Sequence, residues 1–98
     1  MSDERISFSR DASATTKAAI AERLRANPRT VPRAIYQAAN ADLAVEARRL
    51  AFTSNRSYDD AAAHLAATDA WLGLGVQSYI EGPSADRLLG EIGVEVAS

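Results

Sequence analysis

"NPRTVPRAIYQAA", residues 27–39, sets two prolines four positions apart ahead of an unbroken run of helix-forming residues. Where the helix starts decides how the first half of the chain folds. If Asn27 caps it and Pro28 is its first residue, Pro32 falls inside the helix, where it removes a backbone hydrogen bond at a cost of roughly 3 kcal/mol. If Thr30 caps it, Val31 comes first and Pro32 second, and the amide that proline lacks has no intrahelical partner to lose. The second arrangement is the cheaper one. It predicts a helix from Val31 to about Thr53, with Pro28 closing the loop before it.

Working outward, Val31, Ile35, Ala39, Leu43, Ala47 and Leu50 form a stripe at helical spacing, the mark of one long helix with a buried face. Upstream, Ala14 to Ala26 is rich in alanine and long polar residues and follows the capping types Asp11 and Ser13, so a first helix is predicted there. Asn27-Pro28 ends it. Arg5 to Arg10 alternates polar and apolar, with Ile6 and Phe8 on one face and Arg5, Ser7 and Ser9 on the other, as a short strand does. Downstream, Ser57 with Asp60 has the form of a capping box and opens a third helix over Tyr58 to Leu72, resuming through Tyr79 across Gly73 and Gly75. Gly82-Pro83 reads as a turn, Ser84 as the cap of a short fourth helix to Leu89, and Ile92, Val94 and Val96 as a terminal strand. The fold class expected is mainly α.

The chain has 98 residues, 47% of them hydrophobic, which suits one domain with a modest core. Cysteine is absent, which excludes disulfides and thiolate metal sites and fits a reducing cytoplasm. With no long apolar run and no charged-then-apolar leader, neither a membrane span nor a secretory signal is expected. The net charge of −2 hides an asymmetry. Residues 1–36 carry seven basic side chains against four acids, and residues 37–98 four against nine. A basic half suited to phosphates is joined to an acidic half suited to a different partner.

Two families of DNA-binding proteins share parts of this pattern. "IAERLRANPRTVPRAI", residues 20–35, resembles a helix-turn-helix in its alanine at 21, leucine at 24, threonine-valine pair at 30 and 31 and apolar residue at 35, although Arg25 stands where that turn usually has glycine. "RTVPRAIYQ", Arg29 to Gln37, resembles the start of the second helix in ribbon-helix-helix repressors of the Arc and MetJ kind. The order strand, helix, short loop, helix over residues 5–45 is similar too. Pro28 replaces the customary glycine before that helix. The resemblance implies a module at residues 1–50 in which two chains pair their strands into an antiparallel ribbon, so a homodimer, with a helical extension over 51–98. It implies a ribbon in the major groove of double-stranded DNA, presenting Arg5, Ser7, Ser9 and Arg10, and a phosphate clamp made by Arg29, Thr30, Val31 and Arg33 at the start of the second helix.

The function expected is a small DNA-binding transcriptional regulator of the antitoxin kind, whose acidic half holds a basic protein such as a toxin. Trp71, Leu72, Tyr79 and Ile80 are the candidate anchors for it. The alternative is a helical scaffold with no nucleic-acid role. His64 with Asp60 one turn earlier supplies only two metal ligands, Gly73-Leu74-Gly75 lacks the third glycine of a dinucleotide loop, and no nucleophile has an evident base. No cofactor and no enzymatic activity are expected.

Overall fold

The computed structural model describes residues 6–8, 14–26 and 30–96. In chain order the elements are β1 (Ile6–Phe8), α1 (Ala14–Ala26), β2 (Val31–Pro32), α2 (Arg33–Ser54), α3 (Tyr58–Thr68), α4 (Ala70–Leu74), β3 (Tyr79–Ile80), α5 (Pro83–Glu91) and β4 (Val94–Val96). The chain is mainly helical, as its periodicity implies.

The long helix starts two residues later than expected. Val31 precedes a proline, and the clash with the proline ring drives it out of the helical region into the extended one. It pairs there with β3 in parallel, Val31 level with Tyr79 and Pro32 with Ile80. Pro32, at φ −59° and ψ 144°, is the residue before the first helical turn, and no side chain caps that turn. Thr30 is therefore not the cap. From Arg33 the stripe does what its spacing implies: Ile35, Ala39, Leu43 and Ala47 are all buried. At the far end Asn55 adopts the left-handed conformation, and its amide donates to Ala51 O.

Ser57 caps α3 as the sequence predicts, its Oγ accepting from the Asp60 amide at 3.1 Å. The helix then breaks earlier than expected. Asp69 turns extended, and its carboxylate accepts from the Leu72 amide at 3.0 Å, so it ends α3 and caps α4. Tyr79 and Ile80 form a strand rather than a resumed helix. Pro83 is the first residue of α5 rather than part of a turn, since its ring is already set for a helix and the amide it lacks would be unpaired there.

β1 and β4 lie side by side in parallel, Ile6 level with Val94 and Phe8 with Val96. The pairing expected for residues 5–9 was antiparallel, with a second copy. Within the chain the strand beside β1 is the C-terminal one, and Gly93, at φ +71°, makes the turn into it.

One core runs through both halves of the chain. Ile20, Ala21 and Leu24 of α1, Val31 of β2 and the buried stripe of α2 meet Trp71, Leu72 and Leu74 of α4, Leu88 of α5, and Ile92. α2 runs through residue 50, and α3 folds back along it. Among the described residues no helix is long and apolar enough to cross a membrane.

Candidate functional site

Three places gather polar or exposed groups: the start of α2, a cleft between α1, α2 and α4, and the tip of the α2–α3 hairpin. Arg33 stands at the first. It is exposed, its Nη1 donates to Glu81 Oε1 at 2.8 Å, and its guanidinium lies 5.8 Å from the centroid of Tyr79. The Tyr79 ring in turn meets that of Tyr36 at 4.8 Å. The hydrogen bond and the charge of Glu81 raise the pKa of Arg33 above its ordinary value. Both partners of this ion pair are more than half exposed, and such pairs exchange readily with other ions.

Val31 does not join a phosphate clamp. Its amide donates to Ser78 O at 3.0 Å and its side chain is fully buried, so the β2–β3 pairing has consumed the donor. Thr30 is half-buried just before it. Ser7 lies in β1, level with Glu95. Arg5, Ser9, Arg10 and Arg29 lie outside the described residues. The last turn of α1 adds two exposed cations, Arg23 and Arg25, that count in the basic half but were not among the expected DNA contacts. From Arg23 to Ala41 there are four arginines and no acid.

In the cleft, Asp42 of α2 is a hub. Its Oδ2 accepts from Lys17 Nζ at 2.6 Å and from Trp71 Nε1 at 2.9 Å, and Lys17 sits 5.5 Å from the centroid of the Trp71 ring. One carboxylate thus ties α1, α2 and α4 together. The cleft around it encloses about 810 Å³, with Val45, Leu65, Trp71 and Leu72 as its apolar lining. Asp42→Ala is expected to lower stability by about 1–2 kcal/mol, the size of hydrogen bonds to a charged, partly exposed group, whereas Asp42→Asn keeps an acceptor and should lose less. Urea unfolding of the two variants gives the order; equal midpoints with the parent would remove Asp42 as a hub.

Comparison with protein-family models, curated proteins and solved structures returns no match.

Trp71 and Leu72 lie mostly in the chain's own core. They are 7% and 6% exposed, and what each leaves exposed lines the cleft. The aromatic cluster finds its cover in α1 and α2 because α3 folds back on α2. Of the other two candidates Tyr79 remains exposed, stacked on Tyr36, and Ile80 is half-buried. Among the described residues no group of three or more His, Asp or Glu side chains is placed to hold a metal ion.

Among the described residues, the most exposed large apolar side chain is one that the sequence pattern did not single out. Phe52, near the end of α2, is 89% exposed, with Arg48, Arg49 and Arg56 around it in sequence. The available signal was its offset from the stripe: Phe52 lies five residues beyond Ala47, off the i, i+4 series that the core uses.

Proposed function

We propose that this chain is a small DNA-binding regulator that meets the duplex backbone through the arginines flanking the connection between α1 and β2. The observation that carries this reading is the run of four arginines without an acid from Arg23 to Ala41, of which Arg23, Arg25 and Arg33 are exposed. In a chain of net negative charge, such a stretch gathers positive charge into one segment, the kind of charge that attracts phosphates. Arg33 would exchange Glu81 for a phosphate, and Arg29, Arg5 and Arg10 would add to the same charge. The resemblance to ribbon-helix-helix repressors over residues 5–45 supports the class of ligand. Backbone contact through the arginines does not require that family's antiparallel ribbon.

The test is the fluorescence anisotropy of a labelled mixed-sequence duplex titrated with the protein. Phosphate contacts release counterions, so about four of them weaken binding on the order of 100-fold between roughly 50 and 200 mM salt. Replacing Arg23 and Arg25 together by alanine should make the log–log salt slope shallower by about 0.9 for each phosphate no longer neutralised. Absence of binding at the lower salt would overturn the reading in favour of a scaffold.

A further inference from the structure

We infer that a second copy of this chain docks along α2, each copy placing its Phe52 in the cleft beside the other's Val45. Phe52 is 89% exposed and Val45 50% exposed. Seven residues apart on a helix, they lie within about 20° of one another on one stripe, separated by about 10 Å of rise. α2 thus carries, on one outward face, an apolar knob and the wall of an apolar cleft. The rigid helix keeps Phe52 out of its own cleft, so the occupant comes from another molecule.

Charge names that occupant. The residues lining the cleft include four carboxylates, Glu22, Asp42, Glu46 and Asp69, against two cations, Lys17 and Arg25. The knob is set among Arg48, Arg49 and Arg56, with no acid from Ala47 to Tyr58. Knob and cleft are opposite in sign as well as matched in apolar character, and one chain carries both. A two-fold pairing is self-complementary in this way, each patch meeting its counterpart twice. With two α2 helices antiparallel and the axis between Ala47 and Arg48, Glu46 of one copy comes level with Arg49 of the other. Phe52 then comes level with Leu43, between Asp42 and Val45 on the cleft wall. Glu46 and Arg49 already face each other within one chain at 3.4 Å, so the contact across the axis is an exchange of partners.

This inference goes beyond DNA binding and stands without it. Sedimentation of the full chain over a range of concentrations should show a monomer–dimer equilibrium. Phe52→Ala should raise its dissociation constant about tenfold or more, as loss of a buried aromatic anchor does. Because Phe52 touches so little of its own chain, the variant's thermal midpoint at low concentration should match the parent's. Arg49→Glu should weaken the dimer, and Glu46→Arg in the same chain should restore it. Trp71 is the chain's sole tryptophan and lines the cleft, so its emission should shift with concentration in the parent and not in Phe52→Ala. A parent that stays monomeric throughout, or a dimer indifferent to Phe52→Ala, would overturn the proposal, whatever the duplex titration shows.

Discussion

Replacing Trp71 with alanine is expected to destabilise the chain by about 3–5 kcal/mol, the range for removing a large buried aromatic from a core. The indole is 7% exposed and packs in the cluster formed with Leu24, Leu43, Leu72 and Leu74. Its Nε1 donates to Asp42, and Lys17 lies over its ring, so the substitution also strips two interactions from the hub that joins α1 to α2. The cleft on one side admits water to the space left behind, which places the loss toward the lower end of the range. For a domain of this size each kcal/mol moves the thermal midpoint by roughly 4–8 °C, so a fall of about 12 °C or more is expected. Far-UV circular dichroism reads it directly. A surface anchor for a protein partner would behave in the opposite way, with an unchanged midpoint, and that result would return Trp71 to the role its sequence context suggests.

The difference between those two roles is a difference in what sequence periodicity can carry. The stripe from Ile35 to Ala47 was legible because every member answers to the same helix and the same core. The start of that helix was legible too, but through a rule applied at the wrong place. The clash that ends a helix before proline, expected at Asn27, is as strong at Val31, where it makes a strand and sends Thr30 out of the cap. Asp69 shows a third case. Its break in α3 rests on one side-chain hydrogen bond to Leu72, and no interruption of the apolar pattern announces it. What periodicity does not hold at all is pairing between distant segments. β1 meets β4 from the opposite end of the chain, β2 and β3 are two residues each, and the Lys17–Asp42–Trp71 cluster spans α1, α2 and α4. The partner of the Val31 amide was hidden for the same reason, because Ser78 arrives from elsewhere to take it.

Gly75→Ala should be among the most damaging single changes available, and it isolates one close approach. Gly75 has φ −73° and ψ −8°, a conformation that alanine adopts freely, so no backbone strain is involved. The cost is steric. A Cβ there would stand 2.7 Å from both the Cα and the N of Asn40 and 2.9 Å from the Ala39 carbonyl carbon. All three are backbone atoms in the middle of α2, held by its hydrogen bonds and by the buried Ala39, so no side chain can swing aside. The same approach lets Asn40 Nδ2 donate to Gly75 O at 3.0 Å, a bond that separation of the two segments breaks. Forcing a methyl into a packed region costs typically 1–3 kcal/mol and more where backbone must move, so a loss of about 3 kcal/mol is expected. Gly90→Ala is the matched control. It lies inside α5, its added Cβ would meet nothing within 4 Å, and its φ is not positive. Replacing a helical glycine there should raise stability by about 0.5–1 kcal/mol. Urea midpoints of the two variants should therefore move to opposite sides of the parent's, and a Gly75→Ala midpoint at or above the parent's would mean that α4 does not lie against α2 at Asn40.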